Sequence, residues 1–333
     1  MAGPGEGARE GPDAGSREGP GAGAHEGPDA GAHEGTLDSH PHGPGDGHGS
    51  GSGSGSGSGD GVLEAAPTVL VLAVLLAAAG CYLFAVRGAR RRNPVLGWSG
   101  RRSASFLGGL AVLAVALLPP LGPAAHTDFR GHMAQHMLIG MYAPLALVLA
   151  APVTLALRTL PPTGARRLTA LLHGRPARLL THPAVALALS TGTLGLLYFT
   201  PLYDTAMSHP AGHWLMNAHF LASGCLFAHA VAGPDPAPAR PGVPARLVYL
   251  GIAIAAHALL AQAVYGGFYV HIHAPVDQVR QGAEIMYYAG DVAELLLAAA
   301  LVATWRPERR GRRPRTGQGA VAAGRASGGV PAG

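Results

Sequence analysis

The stretch HTDFRGHMAQHMLIGMYAPLALVLAAPVTLAL, residues 126–157, decides the fold. Its first twelve residues hold three histidines, one aspartate and two methionines, and the remainder is almost wholly apolar. A bilayer core about 30 Å thick needs roughly 20 consecutive apolar residues as a helix. Read outward from this stretch, the same unit recurs: an apolar run, then a short polar loop. Seven such runs are expected, at about 66–86, 104–121, 132–157, 183–200, 213–232, 246–265 and 284–305. They predict an all-α, polytopic membrane protein, a seven-transmembrane-helix bundle. Pro144 and Pro152 inside the third run predict a kinked helix, with neighbouring helices satisfying the freed backbone groups. Abundant Gly, Ala, Ser and Thr suit close helix contact in lipid.

Composition agrees. The chain is 48% hydrophobic and 13% charged, against about 25% charged in ordinary globular domains. Positive charge is carried by arginine alone, and the two cysteines, Cys81 and Cys225, lie in apolar runs where they are expected as inert, buried thiols. No CxxC spacing, nucleophile motif or phosphate-binding glycine loop occurs, so the reading is of a non-enzyme. The basic C-terminal segment lacks interleaved aromatics, which argues against nucleic acid and for anionic lipid as its partner.

Three regions follow. Residues 1–61 are Gly, Pro, Ala, Ser, His and acids with near-copies EGPDAGSREG and EGPDAGAHEG, then a Gly-Ser tract, and are expected to be a disordered tail. Residues 62–305 form the membrane domain, and 306–333 a basic, disordered tail. Arginine placement predicts orientation. Twenty arginines fall in the loops after runs one, three and five and in the C-terminal tail; only Arg130 and Arg280 fall in the other loops. That bias predicts the N-terminus outside and the C-terminus in the cytoplasm.

The histidines show the opposite bias. Nine of the twelve beyond residue 61 fall in outer loops or outer helix halves; His173, His182 and His229 lie toward the inside. His132 and His136 stand four apart and leave one helix face. His219 and His257 are expected at similar depth. Ionisable groups within a span are costly and usually serve a site. These four are the candidate metal ligands, since imidazole with thioether suits Cu(I) and imidazole alone suits Cu(II), zinc or haem iron. Auxiliary candidates are His126, Asp128, Met133, Met137, His213, Met216, Asp277 and Gln278. Met133, Met137 and Met141 form a stripe that packing also explains. His209, His271 and His273 read as loop residues, His182 before Pro183 as a helix start, and Asp291 and Glu294 as a polar helix contact, a proton path or packing partners for Arg or His. Besides metal handling, haem binding through His219 and His257, or a metal-free transporter or scaffold, stay open.

Several segments resemble the multi-pass bacterial cytochrome c oxidase assembly factor family CtaG, linked to caa-type oxidases. They are HMAQHMLIGMYAPLALVLAAPVTLALR (132–158), THPAVALA (181–188), YFTPLYD (198–204), HWLMNAHFLASGCLF (213–227) and DQVRQGAEIMYYAGD (277–291). The resemblance implies a seven-helix plasma-membrane protein needed to form active haem–copper oxidase, with oxidase subunits as partners and copper as cargo. The matching polar positions are His132, His136, His219, His257, Asp277 and Gln278. The sequence departs from the pattern at Asn217, where a second histidine is expected, and at Tyr287 and Tyr288, where tryptophan is common.

Overall fold

The computed structural model describes the backbone of residues 60–305 except 96, 238 and 239, and side chains from residue 66 onward within those limits. The N-terminal tail before residue 60 and the C-terminal tail lie outside the described residues. Among the described residues there are helices and no strands.

Helix α1 spans Asp60–Arg92, so it begins at the predicted tail's last residues, and it ends in Arg90, Arg91 and Arg92. Cations there complement the negative helix end. Helix α2 (Gly100–Leu117) stops before Pro119, and a short α3 (Leu121–Thr127) follows. Helix α4 (Phe129–Met137) runs into a π-helical turn, Leu138–Tyr142, then α5 (Ala143–Leu149) and α6 (Pro152–Thr159). These pieces form one long apolar segment, Phe129–Thr159. Its irregularities sit where the prolines predict: Pro144 has no N–H to donate back to Gly140, and Ala151 before Pro152 is left-handed at φ 55°.

On the far side of α6, α7 (Pro162–His173) and α8 (Arg175–Leu180) bury no residue. The fourth run folds as α9 (Pro183–Leu187), a second π-turn (Ala188–Gly192) and α10 (Thr193–Tyr198). His182 starts α9 as expected, its Nδ1 accepting from the Ala184 amide at 3.3 Å. Then come α11 (Leu202–Met207), α12 (Pro210–Ala232), α13 (Val243–Gly266) and α14 (Val276–Thr304).

Among the described residues six segments are long and apolar enough to cross a membrane; the one other expected run, the fourth, is Pro183–Tyr198 and is shorter than these. It nevertheless joins the two ends of the bundle. At one end the His182 ring lies 6.2 Å from that of Tyr249, near the start of α13. At the other the Tyr198 carbonyl accepts from the His271 amide at 3.0 Å, in the loop between α13 and α14.

The two ends differ in chemistry. The first is tied by Arg92 to the Leu160 carbonyl, Arg158 to that of Gly97 and Thr304 to that of Ala232. The second is tied by Gln278 to the Phe129 amide, Arg130 to Gln281 and His273 to Asp204. The core divides likewise. Phe129, Met133, Met137, Tyr198, Phe220 and Met286 pack near the histidine-rich end. Leu145, Val148, Phe227, Val231, Leu250 and Leu301 pack near the arginine-rich end. Large apolar side chains such as Leu70 and Phe84 on α1 point outward, as a hydrocarbon surround requires. Cys81 lies on that exposed face rather than buried, because α1 is packed on one side only; Cys225 is half-buried, and both thiols are free.

Candidate functional site

The long third segment begins at Asp128, whose carboxylate accepts from the Arg130 amide at 2.8 Å and caps α4. Arg130 also grips that carboxylate through its guanidinium, and this hydrogen bonding holds Asp128 below the usual carboxylate range. The capped helix carries His132 and His136 inward on one face. Both are buried, 1% and 4% exposed.

Their environments differ. The Nε2 of His132 meets the Tyr198 hydroxyl at 3.2 Å, and its ring lies against Tyr203 at 4.9 Å. Its Nδ1 has no partner. Neither nitrogen of His136 has one, and its ring sits edge-on to Phe220 at 4.3 Å. A cavity of about 60 Å³ opens beside it, lined by His136, Met141, Ser223, His257 and Glu294 among others. Both π-turns border it, Gly140 and Met141 from the first, Ser190 and Thr191 from the second. Such turns recur at functional sites because they displace side chains and free carbonyls.

His257 enters this cavity from α13. Gly290 of α14 lies so close to its ring that a Cβ there would collide with it. Glu294, one turn further along α14, places Oε1 3.8 Å from His257 Nδ1. The Nε2 of His257 and the Oε2 of Glu294 lack partners. Thus eight buried side-chain polar atoms without a partner occur among the described residues, and five belong to His132, His136, His257 and Glu294. Buried polar atoms are normally hydrogen-bonded, so such a cluster calls for a physical reason.

Two of the four candidate ligands, His136 and His257, share the cavity. His132 lies one helical turn before His136 and is turned toward Tyr198 and Tyr203. His219 is committed elsewhere. Its Nε2 lies 3.0 Å from the Leu189 carbonyl and 3.0 Å from the Thr193 hydroxyl, pinning α12 to the π-turn of the fourth run. Among the described residues, no three His, Cys, Asp or Glu side chains are grouped so as to hold a metal ion.

The auxiliary candidates separate into packing and surface groups. Met133, Met137 and Met216 are core residues, with the Tyr198 hydroxyl 3.7 Å from the Met133 sulfur. His126 is exposed and packs at a tilt against buried His213, with ring centroids 3.9 Å apart. Asp277 is exposed, while Gln278 accepts from the Phe129 amide at 3.4 Å.

A network that the sequence reading missed explains Asn217. Gln135, 1% exposed, donates to the Ala116 carbonyl at 2.9 Å. Its oxygen accepts from Asn217 at 3.3 Å and meets His213 Nε2 at 3.1 Å. An amide suits this position, since its Nδ2 donates to Gln135 and lies 3.4 Å from His213 Nε2. A lone glutamine between two histidines in an apolar run was the available signal. Tyr198 and Glu294 were likewise visible as polar groups in apolar runs, and Tyr203 in the segment after the fourth run, without a sign of which faced the histidines.

Fold and site together define a multi-pass helical membrane protein with buried imidazoles near one end. Over residues 80–308 the sequence matches the family described as cytochrome c oxidase caa3 assembly factor (Caa3_CtaG), and the chain belongs to that family. It is 34% identical over 259 residues to uncharacterized protein Mb0105 of Mycobacterium bovis and to uncharacterized protein MT0111 of Mycobacterium tuberculosis, covering 71% of this chain and 39% of each relative. It is 32% identical over 228 residues to uncharacterized protein ML1998 of Mycobacterium leprae, covering 62% of this chain and 34% of that protein. The match thus spans well under half the length of these relatives. No solved structure matches.

Proposed function

We propose that the chain helps build a haem–copper cytochrome c oxidase by holding a copper ion among its buried histidines and passing it to an oxidase subunit. The arginine bias supports a histidine-rich end on the extracytoplasmic side of a bacterial plasma membrane, with the N-terminus outside and the C-terminus in the cytoplasm. The observation that carries the reading is the cluster of unpartnered polar atoms on His132, His136, His257 and Glu294. Leaving such groups unpaired costs about 1–3 kcal/mol each, and a cation bound by the ring nitrogens removes that cost. Imidazoles with a thioether nearby form a donor set suited to copper. The haem alternative has less support, because His219 does not line the cavity with His257 and its Nε2 lies 3.0 Å from the Leu189 carbonyl. His219, with its ring nitrogen bonded to the fourth run, is assigned a positioning role.

The test is the oxidase in a host deprived of the chain. Oxidase subunits should accumulate with reduced copper, restored by the wild-type chain and not by His136→Ala/His257→Ala. Full oxidase copper and activity without the chain would remove the function. Restoration by the double variant would remove these histidines from it.

A further inference from the structure

The cavity beside His136 contains a group outside the expected ligand set, and it bears on which ion is carried. This step rests on the copper reading above. We infer that Glu294 is the counter-charge of the cargo site, and that the site therefore suits a monovalent soft cation, Cu(I), over any divalent ion.

The argument is one of charge in a place without water. Glu294 is 3% exposed and lines the cavity with one carboxylate oxygen unpartnered. A cation moved into such an interior loses its hydration, a penalty of several kcal/mol even after relaxation. A nearby opposite charge offsets most of that. Glu294 is the cavity's carboxylate; Asp291, one turn before it on α14, is half-buried and outside the lining. Two neutral imidazoles and one thioether add no charge. One carboxylate then balances one positive charge, whereas a divalent ion would leave a buried excess.

Donor chemistry points the same way. His136, His257 and Met141 offer two nitrogens and a sulfur around one small space. Divalent zinc wants a tetrahedral set of three or four anionic or imidazole ligands, and no such group of His, Cys, Asp or Glu occurs among the described residues. Soft ligands in low number suit Cu(I). The separation of 3.8 Å between Glu294 and His257 Nδ1 is too long for a hydrogen bond and puts the carboxylate on the Nδ1 side of the ring. Nε2, the ring nitrogen away from the carboxylate, has no partner and is left for the ion; a small shift on binding would let Nδ1–H donate to Glu294, as the second nitrogen of metal-bound histidine commonly does. Gly290 makes it possible, since any larger residue would push the ring away.

The experiment uses the purified full chain in detergent. It is equilibrated separately with Ag(I), a redox-inert stand-in for Cu(I), and with Zn(II), desalted, and analysed for bound metal. Wild type should retain Ag(I) and release Zn(II). Glu294→Gln should weaken Ag(I) retention about tenfold or more, the result of removing a buried counter-charge, with Glu294→Asp between the two. Apo-protein melting of each variant separates metal loss from misfolding. Equal Ag(I) retention by wild type and Glu294→Gln overturns the role of Glu294, while loss in His136→Ala/His257→Ala would leave the copper reading intact. Zn(II) held as firmly as Ag(I) overturns the monovalent preference, and wild type alone suffices for that arm. No retained metal of either kind defeats this inference and the copper reading together.

Discussion

Two buried polar clusters lie at different depths of the same bundle, one in the loop before α13 at the arginine-rich end and one around the cavity partway along α13 and α14, and their hydrogen bonding differs. At the arginine-rich end, Asp235 is 3% exposed and accepts from the Val153 amide at 3.0 Å and the Thr154 amide at 2.7 Å, closing the start of α6. Arg240 donates to the carbonyls of Gly233, His229 and Asp235. Burial brings Arg240 down to about 10, so it stays charged at neutral pH. The Thr154 hydroxyl also donates to Asp235, and only the Nε of Arg240 is left without a partner. At the cavity, His136 makes no hydrogen bond at all. The contrast teaches how to separate scaffold from site in a membrane bundle. Asp235 fixes a loop; on the reading proposed above, the unpartnered groups of the cavity serve the cargo ion.

That contrast can be broken by substitution. The largest effect is expected at Asp235. Asp235→Ala strips three donors of their acceptor and should destabilise the protein by about 3 kcal/mol or more. Thermal unfolding in detergent measures it, and metal retention by the surviving folded fraction should be unchanged. Equal loss of metal and fold would erase the distinction between the clusters.

Next comes His136. Replacing an unpartnered polar group by an apolar one of similar size removes a desolvation cost of about 1–3 kcal/mol. His136→Leu should therefore raise apo-protein stability while abolishing metal retention. A lower melting temperature would mean that the imidazole is partnered in the folded protein.

His219→Ala should cost about 1 kcal/mol, the net worth of the bond to the Leu189 carbonyl, and leave metal retention unchanged. Loss of metal in this variant would return His219 to the ligand set and enlarge the site beyond the cavity.

The smallest effect concerns Asp128, at the mouth of the histidine helix. Its folded-state pKa is depressed by the Arg130 guanidinium. Its contribution is therefore present above about pH 3.9, the unfolded value, and is lost as pH falls through the depressed folded value. Melting curves of wild type and Asp128→Asn should converge below that window and separate above it. A gap that persists or widens at lower pH would show that the cap does not depend on charge.

The elements differ in how legible they were. Pro152 marked the break at Ala151, and His182 before Pro183 marked the start of α9, because caps and proline act on their own neighbourhood in the chain. The fourth run was legible as apolar but not as short: its end at Tyr198 is set by the turn into α11 and by the His271 amide, a partner far along the sequence. Among site residues, depth could be counted from the helix ends, but facing could not. His219 and His257 looked alike by that count. One faces a π-turn, the other a cavity, and a rotation about each helix axis makes the difference.

By itself the sequence determined that this chain builds apolar helices of membrane length, that its arginines and histidines part to opposite ends, and where proline and capping residues interrupt it. Each follows from side-chain transfer energies and backbone geometry that act within a few residues. Only the tertiary structure decided that Gln135, His213 and Asn217 satisfy one another, that His219 is bound to its neighbour, and that His136, His257 and Glu294 meet. Those pairings depend on how helices distant in the chain are turned and pressed together, which close packing fixes and hydropathy does not encode.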